Sequence, residues 1–137
     1  MLMYESFLSN ILKPITIKFV SAIVDFLNIV ESKYKWSYKK IDDGEIWLYA
    51  DTKNVLILKK LTYSNLYNLS SDFHYYDNYL KLGKNITNFL LHTFNKDYMS
   101  IMDISISDKD MSQYIKKLTI ENYNEFLIKD TANKYNL

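Results

Sequence analysis

Residues 32–50 read SKYKWSYKKIDDGEIWLYA, and the way this stretch folds decides which side chains the protein shows to its surroundings. Tyr34, Trp36 and Tyr38 alternate with Lys35, Ser37 and Lys39, the period of a strand with two distinct faces. Asp42, Asp43 and Gly44 interrupt the alternation, and residues 45–51 resume it. Gly adopts positive φ without steric cost and Asp tolerates it, so Asp43 and Gly44 suit a tight hairpin turn. Thr52, Lys53 and Asn54 make a second turn, and residues 55–61 a third strand. The pattern predicts an antiparallel meander over 34–61.

A two-residue turn at Asp43 and Gly44 puts Ile41 opposite Ile46 and Tyr38 opposite Tyr49. Trp36, Tyr38, Trp47 and Tyr49 then share one face. Ile41, Ile46, Leu48 and Ala50 share the other with Ser37 and Lys39, since a strand's side chains alternate. Val55 and Ile57 add to one face, Leu56 and Leu58 to the other. Both faces are substantially apolar, so helices are expected on both, in three layers. Trp47, on the central strand, is expected to be mostly buried and Trp36, on the first strand, more accessible. The competing expectation is that the ring face stays partly open and meets a partner.

Upstream, ITIKFVSAIVDFLNIV at 15–30 carries Phe19, Ile23, Phe26, Leu27 and Val30 at three- and four-residue steps. Val20, Val24 and Ile29 widen that stripe, so a helix near 15–32 should be covered on more than one side. Lys18 and Asp25 interrupt the run, and its sixteen residues are short for a membrane span. Pro14 suits a first helical turn and separates this helix from a short one near 3–12. The first ten residues, with Glu5 and no basic cluster, do not resemble a secretory signal.

Downstream, Leu66, Leu69, Phe73, Tyr76 and Leu80 fit helical spacing, with Gly83 as a stop. Asn85 would cap a further helix carrying Phe89, Leu90 and Phe94. Met102, Ile104 and Ile106 alternate as in a fourth strand. Ser107 and Asp110 have the spacing of a capping box, ahead of a helix with Met111, Tyr114, Ile115 and Leu118 inward. Thr119 caps a last helix facing Tyr123, Phe126 and Leu127 to the core. The expected fold is a single α+β domain over 1–137: N-terminal helices, a three- to four-stranded antiparallel sheet and C-terminal helices.

Composition narrows the function. All 17 basic residues are lysine, Cys is absent, and the formal net charge is +1. Without Arg there is no guanidinium fork for bidentate recognition of phosphate, carboxylate or guanine. Without Cys there is no thiol nucleophile, disulfide or zinc-thiolate site, which fits a reducing compartment such as the cytoplasm. Near-neutral charge gives no strong pull toward nucleic acid or an anionic membrane. The abundance of Asn, Ile, Lys and Tyr fits an AT-rich microbial or viral genome.

Chemical motifs are sparse. Ser71, Asp72, His74 and Asp77 lie close in sequence, but Ser and Asp are common caps, and a triad is usually assembled from separated segments. His92 reads as a helix-edge residue. Asp108, Asp110 and Ser112 begin like a calcium loop, but Gln113 then occupies the obligatory Gly position and Thr119 the bidentate Glu position. Gly44 and Gly83 are the only glycines, too few for a phosphate-cradling loop. Neither an enzyme, a cofactor nor a metal is expected.

The sequence suits a small protein-binding module, most concretely an immunity or inhibitor protein neutralising a toxin or enzyme. Trp36, Tyr38, Trp47 and Tyr49, with Tyr75, Tyr76 and Tyr79, are the candidate contact residues, because aromatic rings give contact area with few rotors. A nucleic-acid accessory role is the alternative, disfavoured by a register that puts Lys33, Lys35 and Lys39 opposite the rings. Self-association through the aromatic face is a third.

Overall fold

The computed structural model describes residues 13–61, 66–71, 77–93 and 103–135. Helix α1 (Pro14–Val30) leads into strands β1 (Trp36–Asp42), β2 (Glu45–Ala50), β3 (Lys53–Lys60) and β4 (Leu66–Ser71). Helix α2 (Asp77–Thr93) precedes β5 (Asp103–Ser107), and α3 (Asp108–Lys117) and α4 (Ile120–Tyr135) follow. The strands form one five-stranded sheet in chain order, antiparallel throughout. The fold is α+β as expected, with more strands than the expected three or four. The short helix expected near 3–12 lies outside the described residues.

In α1, Pro14 sits in the first turn, where its missing N–H has no helical acceptor to lose. Phe19, Val20, Ile23, Val24, Phe26 and Leu27 are all buried, at the helical spacing read from the sequence. Ile29 departs from that stripe and is 62 % exposed.

One face of the sheet packs on the helices. Trp36, Ile46, Leu48, Ala50, Leu56, Leu58, Tyr67, Leu69 and Ile106 are buried there with the α1 residues and with Ile86, Phe89 and Leu90 of α2. Rings link the helices: Phe26 stacks on Phe89 with centroids 5.5 Å apart, and Tyr123 meets Phe89 edge-on at 5.1 Å. Phe126 meets Phe89 at 5.7 Å, and Phe19 meets Tyr114 at 5.8 Å. All four described helices thus share one core with one face of the sheet. The expected cover on both faces is not found among the described residues.

The reason is the hairpin register. Asp42 pairs with Glu45, so Asp43 and Gly44 do form the turn. Gly44 does not take positive φ; instead its N–H donates to the Asp42 carboxylate at 2.8 Å. A turn without positive φ splays the flanking strands. β1 takes this up with an extra residue, Ile41, because Lys40 next pairs with Ile46. That bulge moves every later pair by one: Tyr38 faces Leu48, not Tyr49, and Trp36 faces Ala50. The ring face inferred from the sequence is therefore divided, with Trp36 and Tyr38 toward the helices and Trp47 and Tyr49 away from them.

A second bulge lies in β3, where Leu48 pairs with Leu56 but Tyr49 with Asn54. Buried Asn54 donates from Nδ2 to the carbonyls of Leu48 (3.0 Å) and Leu56 (2.9 Å), tying the irregular strand together. Asn54→Ala is expected to cost about 1–3 kcal/mol, because it strips hydrogen bonds from buried carbonyls. Urea unfolding checks this; an unchanged midpoint would contradict it.

Further along, Leu66 and Leu69 belong to β4, not to a helix. The core is served by Tyr67 and Leu69, a period-two pair, and not by the three-residue spacing of Leu66 and Leu69. Gly83 does not stop a helix and Asn85 does not start one; both lie inside α2, and Gly83 is buried. Phe73, Tyr76, Phe94 and Met102 lie outside the described residues. β5 and the capping box are as expected: Ser107 Oγ accepts from Asp110 N–H at 3.2 Å, and Asp110 accepts from Ser107 N–H at 3.3 Å. Thr119 accepts from Asn122 N–H at 3.2 Å, the expected cap of α4. Met111, Tyr114, Tyr123 and Phe126 are buried, whereas Leu127 is 42 % exposed, contrary to expectation.

The tyrosines of this core give it an alkaline limit. Tyr123 donates a hydrogen bond to the Glu31 carboxylate. Burial, and then Glu31, push its phenol well above the ordinary value. Burial, and then the charge of Asp110, do the same for Tyr114. A group whose pKa is raised on folding holds its proton more tightly when folded. Its stabilisation is whole below the unfolded tyrosine pKa of about 10 and is lost as pH rises beyond it. Unfolding free energy is therefore expected to fall above pH ~10, and less steeply in Tyr123→Phe. Urea titrations across this range check the slope, and equal slopes in both proteins would contradict it.

Candidate binding face

The register sets out the side of the sheet away from the described helices in rows. Lys39, Trp47, Ile57 and Ser70 lie across β1 to β4, each opposite the next. Glu45, Lys59, Asn68 and Ser105 form the adjoining row across β2 to β5. Tyr49 stands two residues from Trp47 on the same strand and opposite Ser37. Trp47, Tyr49 and Ile57 are half-buried, and Lys39, Lys59 and Ser105 are exposed. No described helix packs on this side.

The two rings form a local platform. Their centroids are 6.5 Å apart and their planes are inclined at 49°. The Trp47 indole N–H donates to Glu45 at 2.8 Å, which fixes the ring and occupies the carboxylate. Lys39 and Lys59 enter no ion pair among the described residues. The platform therefore combines a fixed tryptophan, a tyrosine and an isoleucine with two solvated ammonium groups. Lys39 lies on the side of the rings, not opposite them as the expected register had it.

The remaining candidate rings are placed elsewhere. Trp36 is only 3 % exposed, and its indole N–H donates to the Glu31 carbonyl at 3.1 Å. The Asn28 side chain accepts from Trp36 N–H at 2.8 Å and donates to its carbonyl at 3.2 Å, closing the start of the edge strand. The expected order, with Trp47 buried and Trp36 accessible, is thus reversed. Tyr38 is 38 % exposed on the helix side, its hydroxyl 3.1 Å from that of Ser21. Tyr79 falls in α2. Tyr75, Tyr76 and His74 lie outside the described residues.

Among the described residues, two clefts hold polar side chains. One, of about 160 Å³, is lined by His92, Thr93, Lys117, Asn122, Glu125 and Lys129. Lys117 donates there to the Thr93 carbonyl at 2.9 Å, and Asn122 to the Lys117 carbonyl at 2.9 Å. These groups close helix ends. His92 lies against Phe126 with ring centroids 5.8 Å apart. The other cleft, of about 240 Å³, is lined by Lys13, Ser107, Asp108 and Lys109, and Lys13 pairs with Asp108 at 2.6 Å. Beneath the sheet, Lys60 is buried over the Tyr67 ring at 5.3 Å, and burial lowers its pKa. Among the described residues, no three His, Asp or Glu side chains gather as metal ligands. No described helix is long and apolar enough to cross a membrane.

No protein-family model matches this chain, and no curated protein or solved structure is significantly similar to it. The geometry of the face thus carries the functional reading.

Proposed function

We propose that this protein is a small non-enzymatic module that binds a protein partner through the outer face of its sheet, in a reducing compartment such as the cytoplasm. The observation behind this reading is the Trp47–Tyr49 platform on a sheet face that no described helix covers. Aromatic anchors ringed by polar groups are the usual centre of a protein interface. Glu45 holds Trp47 in place before any partner arrives, which reduces the entropy lost on docking. The most concrete form is an immunity or inhibitor protein that occludes the working surface of a toxin or enzyme. The test is recovery of one partner in about equal ratio, followed by titration with Trp47→Ala. That variant is expected to weaken binding by about 2 kcal/mol or more. Unchanged affinity in a folded Trp47→Ala would move the interface off this face.

One observation favours a second reading, binding of single-stranded nucleic acid. Lys39 and Lys59 share the ring face, so bases would stack on Trp47 and Tyr49 while the ammonium groups follow the phosphates. Titration with a fluorescent oligothymidylate separates the two. The nucleic-acid reading expects affinity that falls steeply with salt, and the protein reading expects no binding.

A further inference from the structure

We propose that the corner of the fold where α1 and α3 begin holds a second binding site, for a phosphate group that carries one proton. The cleft of about 240 Å³ there is lined by Lys13, Ser107, Asp108 and Lys109. Behind these residues stand Lys60 of β3 and Tyr67 of β4, opposite each other in the ladder, with Thr16 of α1. The Lys60 ammonium lies 5.3 Å from the centre of the Tyr67 ring. Burial pushes the Tyr67 phenol up, and Thr16, Asp108 and Lys13 act on it in turn. Burial pushes the Lys60 ammonium down, and Asp108 and Lys13 act on it next. Two strands and two helix starts thus meet at one cleft. Trp47 lies on the other side of the sheet, so this site does not depend on the function proposed above.

The groups gathered here have bonding capacity that the fold does not use. Thr16 and Tyr67 are both 0 % exposed. Their hydroxyls and Oδ1 of Asp108 are buried, and none of the three has a hydrogen-bond partner among the described residues. Lys60 donates to the Leu61 carbonyl at 3.3 Å and has further N–H groups to give. Buried polar groups left unpaired are costly, so a cluster of them marks a place where something else supplies the partners. Helix α1 adds its positive end. No side chain caps its N-terminus, and no acidic residue stands in its first turn.

This inventory selects the ligand. The Lys60 ammonium, the two hydroxyls and the helix N-terminus call for bare anionic oxygens. An ionised carboxylate oxygen can only accept, so Asp108 Oδ1 calls for a donor. A phosphate group with one proton supplies both: bare oxygens for Lys60, Tyr67 and Thr16, and an O–H for Asp108. Sulfate has no proton to give and would set an oxygen against the carboxylate. The other nearby acid, Asp110, accepts from the Ser107 N–H. Oδ2 of Asp108 is held by Lys13 at 2.6 Å, a partly exposed ion pair that opens at little cost and admits the ligand. Lysine binds phosphate as a point charge, so the absence of Arg does not exclude this class.

Isothermal titration calorimetry of the whole chain tests this, with sodium phosphate, glycerol 3-phosphate and sodium sulfate at matched ionic strength. A pH of about 5.5 lies below the second phosphate pKa of about 6, so both phosphates keep a proton. Both are expected to bind at about 1 mM or tighter, and sulfate at least about tenfold more weakly. The tighter of the two phosphates gives the source of the group. Asp108→Asn, whose amide can donate, is expected to erase the preference over sulfate. Lys60→Met is expected to abolish binding with an unchanged circular dichroism spectrum. Tyr67→Phe, which removes one hydroxyl, is expected to weaken it about fivefold to tenfold. Trp47→Ala is expected to leave it unchanged. Absence of heat with either phosphate up to about 20 mM would mean that water alone fills the cluster, and would overturn the inference. So would equal binding of sulfate by the wild-type chain, or unchanged phosphate binding in folded Lys60→Met or Tyr67→Phe.

Discussion

Phe89→Ala is expected to cost about 3–5 kcal/mol of stability, the range for truncating a buried phenylalanine. Phe89 is 2 % exposed and sits where three helices meet. Its ring touches Phe26 of α1 and both Tyr123 and Phe126 of α4. Truncation removes more than one side chain's transfer energy, because three neighbouring rings lose a partner and cannot all close on the gap. Phe26→Ala is expected in the same range, since Phe26 is the stacked half of this contact. Urea unfolding monitored by circular dichroism gives the figure. A loss below about 1 kcal/mol for Phe89→Ala would mean that α2 and α4 do not share this core.

Trp36→Ala is expected to cost as much, about 3–5 kcal/mol, whereas Trp47→Ala should cost about 1 kcal/mol or less. The two tryptophans lie on adjacent strands, and composition alone gives no reason to separate them. Trp36 is buried beneath the C-terminal end of α1, with its indole bonded to Glu31 and its backbone to Asn28. Trp47 is half-buried on the other side of the sheet. Paired unfolding curves of the two variants check the contrast. Equal losses would mean that both rings are core.

That contrast also shows where the sequence could be read and where it could not. The apolar stripe of α1 was legible because Phe19, Ile23, Phe26 and Leu27 repeat at a period only a helix satisfies. The turn at Asp43 and Gly44 was legible from its residues. The face of each ring was not, because it depends on whether one residue, Ile41, is counted in the ladder. A single bulge exchanges the two faces of everything beyond it, and no residue in KKIDD announces one. In β4 the signal existed: Tyr67 and Leu69 alternate with Asn68 and Ser70, but Leu66 and Leu69 offered a competing helical spacing. Gly83 has the look of a helix stop, yet it lies buried inside α2, where packing outweighs its low helix propensity. Of the candidate site, the period-two spacing of Trp47 and Tyr49 is legible in the sequence, and the two rings lie together. Lys39 and Lys59 as their neighbours follow only from the observed register. The exposure of Leu127 was hidden because it is one position from the buried Phe126, and hydrophobicity alone does not assign it a side.

The described helices cover one face of the sheet and leave the other, which carries Trp47, without a helix against it. Acrylamide quenching of fluorescence in two single-tryptophan variants, Trp36→Phe and Trp47→Phe, tests it most directly. Trp47, alone in Trp36→Phe, is expected to be readily quenched and to become protected when a partner binds, while Trp36, alone in Trp47→Phe, is expected to resist quenching. Resistance of Trp47 equal to that of Trp36 in the free protein, or the reverse order, would contradict it.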